Sequence, residues 1–283
     1  MIVVITGPTG VGKTKMSIEL AKKLDAYIIN ADAVQIYEGL NIGSAKVTKD
    51  EMTGIKHFLL DIRKPNEEYT VKDYQEDLRK LLALYKNKNI IIVGGTGLYI
   101  CAGLMDYRFL EDEETKSYDE YSTEELYQMA LVKDKNMPID KNNRVRLIRF
   151  LNKNVAEKVE PKLLYDNVYF IGLTTNRENL YKIIDKRVDE MLEIGLINEV
   201  KELYTKYPDS KILKRAIGYK EIIEYLNGNI SFSDAKDLIK KNSRHYAKRQ
   251  YTWFNNKMDI TWFNVNYDNF NATIKEVSDF LNI

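Results

Sequence analysis

The sequence predicts an α/β fold, a parallel sheet flanked by helices, carrying a small, mostly helical insertion and a helical C-terminal part. Three observations predict it. An apolar N-terminal run flows directly into a glycine-rich loop and a helix, further β-branched runs alternate with helical patterns, and from Glu178 onward the chain reads almost entirely helical.

The first element is the strongest. Ile2 to Ile5 are β-branched and read as a buried strand, and Thr14 to Leu24 carries helical apolar spacing at Met16, Leu20 and Leu24. Between them lie Gly7, Pro8, Thr9, Gly10, Val11, Gly12, Lys13 and Thr14, the spacing of a P-loop in the strand-loop-helix setting that its chemistry needs. Glycines let backbone N–H groups close around phosphate oxygens, and the helix N-terminus adds partial positive charge. Lys13 can reach the outer phosphate and the Thr14 hydroxyl can ligate Mg²⁺. A diphosphate or triphosphate is the expected ligand, and the fold is P-loop NTPase-like.

Ala26 to Asn30 reads as a second strand ending at Asp32, and Asn89 to Val93 as another ending at Gly94, Gly95, Thr96 and Gly97. Alternation with helices implies parallel βαβ units, so Asp32, Thr96 and the P-loop should share the rim at the carboxyl ends of the strands. Residues 106 to 138 break the pattern: they are polar and charged, and Ser122-Thr123-Glu124-Glu125 is a capping-box signature for a short helix through about Val132. This stretch is read as an insertion or lid, leaving 1–105 and 139–283 as the core. Tyr169 to Leu173 is a further strand candidate, and turn signals at Tyr207-Pro208 and Asn227-Gly228 divide the helical remainder.

Composition narrows the function. The 283 residues are 44% apolar, enough for a substantial core. Lys plus Arg number 43 against 42 Asp plus Glu, so any nucleic-acid binding must come from local clusters. Cys101 has no partner for a disulfide, which suits a reducing compartment, and His57 and His245 alone offer no zinc cluster. The N-terminal apolar run is too short for a signal peptide or membrane span, so a cytoplasmic protein is expected.

Several side chains could carry chemistry. Asp32 is either a turn residue or a carboxylate acting as proton acceptor or near a metal on the phosphate rim. Thr96 either caps the following helix or turns its hydroxyl to the ligand. Arg146, Arg149 and Lys153 form a cationic helix face roughly opposite Ile148, Leu151 and Val155. Near the C-terminus Lys240, Lys241, Arg244, Lys248 and Arg249 interleave with Tyr246, Tyr251 and Trp253, a pairing suited to phosphate backbone and stacked bases. A solvated face or a core helix with snorkelling lysines is the bland alternative for both segments.

Taken together and in order, the chain resembles the tRNA dimethylallyltransferases, also called tRNA isopentenyltransferases. The carrying segments are GPTGVGKT from Gly7, DAVQIY from Asp32, NIGSAK from Asn41, HFLLDI from His57, VGGTGLY from Val93, RLIRFL from Arg146, RVDEMLEIGLINEV from Arg187, RAIGYKE from Arg215 and YAKRQYTWF from Tyr246. The resemblance implies transfer of a dimethylallyl group from dimethylallyl diphosphate to N6 of the adenosine immediately 3′ of the anticodon, position 37, in tRNA. It implies that the P-loop and Arg215 hold the diphosphate with Mg²⁺ on Thr14. It also implies that Asp32, Thr96, Lys13 and Arg215 form the catalytic group, in an enzyme expected to be monomeric. Contacts to the tRNA anticodon stem-loop are expected from Asp32, Ala33, Val34, Gln35, Arg146, Arg149, Gly218, Tyr219, Lys220, Lys248, Arg249 and Gln250. The chain departs from the family pattern at Ala33, Asn143 and Asn152, where serine, aspartate and glutamate are usual, and its 106–138 insertion reads as short. Three other functions fit parts of the sequence: a P-loop kinase of a nucleotide or small metabolite, an AMP or ATP isopentenyltransferase, and a non-catalytic RNA-binding protein.

Overall fold

The β-branched N-terminal run becomes the middle of a sheet because both of its faces are covered. In the computed structural model, which describes residues 1–107, 109, 116–152 and 162–283, the chain begins with β1 (Ile2–Thr6), α1 (Lys13–Leu24), β2 (Tyr27–Asn30), α2 (Lys49–Met52) and β3 (His57–Phe58). It continues through α3 (Val71–Leu84), β4 (Ile90–Val93), α4 (Gly97–Leu104), α5 (Thr123–Lys133), α6 (Arg144–Asn152), β5 (Val168–Thr174) and α7 (Arg177–Glu193). The last elements are α8 (Leu196–Lys206), α9 (Tyr219–Leu226), α10 (Phe232–Lys257), β6 (Thr261–Asn264) and α11 (Phe270–Leu281).

The six strands run in the order β3-β2-β4-β1-β5-β6 and every pairing is parallel. Successive side chains point to opposite faces, and the core follows that rule. Val4, Ile29, Ile90 and Ile92 join one apolar cluster with Tyr74, Leu78 and Tyr219, whereas Val3, Ile5, Ile28 and Ile91 join another with Met16 and Leu20. Ile5 is level with Val93 and with Ile171, and Asn30 is level with Val93. The loops that leave β1, β2 and β4 therefore start side by side at one edge. Two short strands, β3 and β6, were not anticipated. The first has only two residues, and the second is an edge strand with both ends exposed, so neither presents the run of buried β-branched residues that marks a strand in sequence.

The chain divides into two compact units, one of Met1–Tyr107 with Leu163–Ile283 and one of Arg108–Lys162. The second unit begins two residues after 106 and extends to 162, so α6 falls in it with α5. Packing is the reason. Leu147 of α6 is fully buried in a cluster with Leu126 and Ala130 of α5, and the Arg144 guanidinium donates to the carbonyls of Tyr121 and Tyr118 at 2.5 and 2.8 Å. The capping box at Ser122 and Glu125 starts α5 as its sequence indicates. Arg108 and residues 110–115 of the expected 106–138 segment lie outside the described residues.

In the larger unit, α10 opens on a capping box of Ser231 and Asp234 and lies against the loop that follows β4. A Cβ at Gly97 would come within 2.0 Å of the Trp253 ring. Trp253 therefore packs on the protein's own backbone and is not a free platform for a base. Gly97→Ala is expected to cost on the order of 1 to 3 kcal/mol by overpacking, read as a lowered midpoint in thermal unfolding. An unchanged midpoint would contradict this close packing of α10.

Candidate active site at the sheet rim

The P-loop is shaped by glycines whose backbone angles other residues rarely adopt. Gly7 has φ 131°, and a Cβ there would sit 2.3 Å from the Leu173 carbonyl oxygen; Gly12, with φ 88°, is the left-handed residue from which α1 starts. No side chain caps α1 and its first turn carries no acid, so its N-terminal amides and partial positive charge face the loop's interior. Val11 is buried in the core and anchors the loop from beneath. The Lys13 ammonium bends back over the loop, donating to the carbonyls of Gly7 and Pro8 at 3.0 and 2.8 Å.

Two cavities open from this rim. The first, about 470 Å³, has Thr9, Gly10, Gly12, Lys13 and Thr14 of the P-loop in its lining together with the apolar Ile28, Val47, Leu60 and Val93. The second, about 410 Å³, includes Arg215, Gly218, Lys220, Tyr246 and Arg249 in its wall. Asp32, Thr9, Ser44 and Arg187 line both. The carboxylate that sequence reasoning singled out thus stands where the two chambers meet.

Asp32 is held there by a local hydrogen-bond set. Asn30, at the end of β2, accepts from the Asp32 N–H through Oδ1 and donates through Nδ2 to the carbonyls of Asp32 and Leu59. Asp32 Oδ1 accepts from the Val34 N–H at 2.9 Å, so the turn reading of this residue holds alongside its place in the cavity walls. Thr96 makes no side-chain cap on α4. Its hydroxyl accepts instead from the Ala33 N–H at 3.0 Å, tying the loop after β4 to the residue next to Asp32.

Electrostatics converge on the same point. Burial pulls the Lys13 ammonium down to about 8; Asp32 works against that shift and Arg187 adds to it. Arg187 is itself lowered by burial, with Asp32, Glu190 and Glu51 opposing the shift. Two desolvated cations flank one carboxylate, an arrangement that an anion would complete.

Arg187 lines the rim of both cavities but is not singled out by its sequence pattern. It donates to the Thr9 hydroxyl at 3.3 Å and lies in the wall of the P-loop cavity, where Arg215 does not. Its helical position was the one signal. Leu180, Ile184, Val188 and Met191 form the apolar stripe of α7, and Arg187 occupies a position on that stripe's edge, where a purely solvated charge is out of place. Arg215, expected on the diphosphate, borders the second cavity instead.

Several expected tRNA contacts are corrected by burial. Tyr219 is wholly buried and its hydroxyl donates to Glu199 at 2.7 Å. Gln250 is buried with both ends of its amide engaged by backbone. Gly218 starts α9 with its N–H held by the buried Glu221 carboxylate, and it keeps its place in the wall of the second cavity. Of the basic C-terminal segment, Lys240 pairs with Asp189 and Arg244 with Asp185, both on α7, whereas Lys248 and Arg249 remain exposed. Gln35 lines the first cavity and donates to the Ser44 carbonyl; Val34 and Lys220 line the second. In the smaller unit Arg146 and Arg149 are exposed on α6, and Asn143 still caps that helix by accepting from the Arg146 N–H. Lys153 and Val155 lie outside the described residues. Among the described residues no helix is long and apolar enough to cross a membrane, and no cluster of three or more His, Cys, Asp or Glu could hold a metal ion.

A parallel sheet with a P-loop, two half-buried cations and a carboxylate lining two neighbouring cavities is a P-loop-like fold with a cationic rim. A family model described as IPP transferase matches residues 35–257. A protein of Fusobacterium nucleatum named tRNA dimethylallyltransferase is 43% identical over 99% of this chain and 97% of its own, and one of that name from Anoxybacillus flavithermus is 42% identical over 99% and 96%. The crystal structure of a tRNA isopentenylpyrophosphate transferase from Bacillus halodurans superposes with a TM-score of 0.77 at 38% identity, covering 99% of this chain and 95% of that one. A eukaryotic dimethylallyltransferase described as acting on tRNA gives a TM-score of 0.83 at 26% identity, covering 99% and 79%. The chain belongs to the IPP transferase family of tRNA dimethylallyltransferases.

The lowered Lys13 ammonium has a measurable consequence. Its charge is complete well below about 8 and is lost as pH rises through that value, so affinity for inorganic diphosphate is expected to decline above it, by up to about tenfold per pH unit. In Arg187→Met the affinity should be weaker throughout, and the midpoint should move upward because a neighbouring cation is gone. Calorimetric titration across the range reads both effects. A flat profile would mean that Lys13 does not hold the anion.

Proposed function

We propose that the chain transfers the dimethylallyl group of dimethylallyl diphosphate to the N6 amine of adenosine 37 in tRNA. Asp32 acts between a donor chamber at the P-loop and an acceptor chamber beside it. The observation that carries this reading is the presence of Asp32 and Thr9 in the walls of both cavities. A diphosphate seated on the amides of Gly10, Gly12, Lys13 and Thr14 leaves its prenyl carbons toward the apolar wall of Ile28, Val47, Leu60 and Val93.

In the reaction the amine nitrogen forms a bond to the allylic carbon while the bond from that carbon to the diphosphate oxygen breaks. Negative charge grows on the departing oxygen, where Lys13, Arg187 and the loop N–H groups stabilise it. Asp32 accepts the proton that the amine loses. Thr96 contributes by fixing the Ala33 backbone beside that carboxylate. The donor set suits Mg²⁺, since Thr14 lines the phosphate chamber and a hard cation on a diphosphate needs few protein oxygens besides those of the substrate. When bound it neutralises charge on the leaving diphosphate.

The adenine must leave the anticodon-loop stack to reach Asp32. Tyr246 and Arg249 in the second cavity, where the Arg249 guanidinium lies 5.7 Å over the Tyr246 ring, support that chamber as the base pocket, with Arg215 on its rim. Exposed Lys248 and Arg249 on α10, and Arg146 and Arg149 on α6, supply cations for the tRNA backbone. The enzyme works as a monomer in the cytoplasm in this reading. The kinase alternative leaves these basic residues without a role, and an AMP or ATP prenylating enzyme needs no backbone-binding face.

Labelled dimethylallyl diphosphate offered to unmodified tRNA, AMP and ATP separately tests the acceptor: tRNA alone should gain label, and label on AMP or ATP alone would overturn the reading. Asp32→Asn should keep tRNA affinity while slowing single-turnover transfer by about 10²-fold or more, because the amide still accepts a hydrogen bond but takes no proton. An unchanged single-turnover rate would reduce Asp32 to a turn residue.

A further inference from the structure

Gln250 joins the two halves of the site through a single amide. Its Oε1 accepts from the Thr9 N–H at 2.9 Å and its Nε2 donates to the Gly95 carbonyl at 3.1 Å. The residue is 5% exposed. A Cβ on Gly95 would fall 2.0 Å from Nε2, so the absence of a side chain there is what admits the contact. Thr9 belongs to the P-loop and lines both cavities. Gly95 precedes Thr96, whose hydroxyl holds the Ala33 N–H next to Asp32. Hydrogen bonds joined by the Gly95–Thr96 peptide therefore run from the phosphate loop through Gln250 to the turn that carries the carboxylate.

We infer that Gln250 is a positioning residue that fixes the donor loop against the acceptor loop, so that the diphosphate ester and the attacking amine meet in register. The inference rests on the P-loop and Asp32 assignments above. The chemistry calls for this side chain. One end must accept and the other must donate, which a primary amide does and an ionised carboxylate does not. A glutamate here would turn an acceptor toward the Gly95 carbonyl and put negative charge beside the anion site, whereas a methionine of similar length would leave the Thr9 N–H and the Gly95 carbonyl unpaired. Small misplacement of reacting groups is costly, about 10²-fold for 1 Å.

A residue that merely docks α10 on the core would affect unfolding and leave the bound-state rate alone. The test uses the full chain with saturating dimethylallyl diphosphate and unmodified tRNA in single-turnover mode, alongside thermal unfolding and separate affinities for both substrates. Gln250→Met is expected to lose about 10- to 100-fold in the single-turnover rate while both affinities stay within about threefold. Gln250→Glu is expected to be slower than the parent at pH about 8 and to regain ground relative to it as pH falls, because a protonated carboxyl restores the donor to Gly95 and burial brings that protonation into reach. A Gln250→Met rate within about twofold of the parent, or a Gln250→Glu ratio that does not change with pH, would overturn the inference; the second arm decides if the methionine variant fails to fold. Lys13→Ala separates the two failures. If it abolishes transfer while Gln250→Met is normal, the brace alone is wrong, and if it transfers normally the assignment of the P-loop fails and the brace with it.

Discussion

Parallel pairing of β1 with β4, and of β4 with β2, is the constraint on which the site depends. Level alignment of Ile5, Val93 and Asn30 makes three loops leave the sheet at the same height. Each loop then needs only short-range bonds to reach its neighbours. The Thr6 hydroxyl donates to the Gly94 carbonyl, the Gly94 N–H to the Ile5 carbonyl, and the Thr96 N–H to the Ala31 carbonyl. A rigid rim of this kind lets a mobile substrate be positioned by backbone groups that lose little freedom on binding.

The rim also stores an electrostatic imbalance. Lys13 and Arg187 are both lowered by burial, Arg187 further disfavours the charged form of Lys13, and Asp32 opposes both shifts. Two half-buried cations beside one carboxylate, with the amides of an uncapped helix close by, suit the proposed binding of negative charge. The loop 41–43 completes the wall through a different device, in which the Glu199 carboxylate accepts from the N–H groups of Asn41, Ile42 and Gly43 while also taking the Tyr219 hydroxyl. Residues far apart in sequence on α8 and α9 thereby hold the shape of a loop near the P-loop.

The parts of this arrangement legible in the sequence are those encoded locally. The P-loop glycines, the capping box at Ser122 and the four buried β-branched strands carry their structural reasons within a few residues, and the common rim followed from parallel topology. Roles set by tertiary packing were not legible. Gln250 reads as part of a basic, tRNA-facing segment until the fold brings it between Thr9 and Gly95, and Trp253 reads as a stacking ring until Gly97 is found beneath it. Lys240 and Arg244 look like free cations because Asp189 and Asp185, which neutralise them, lie on a separate helix. Nothing before Leu147 announces in the sequence that α6 packs on α5.

In the proposed reaction one carboxylate, Asp32, stands between a diphosphate chamber and an acceptor chamber. A crystal structure with a non-hydrolysable thiolo analogue of dimethylallyl diphosphate tests it most directly. The diphosphate is expected on the amides of Gly10 to Thr14, with Lys13 and Arg187 against its oxygens and the allylic carbon turned toward Asp32. An analogue seated in the other cavity, with its diphosphate on Arg215 and Arg249 and the P-loop uninvolved, would contradict it.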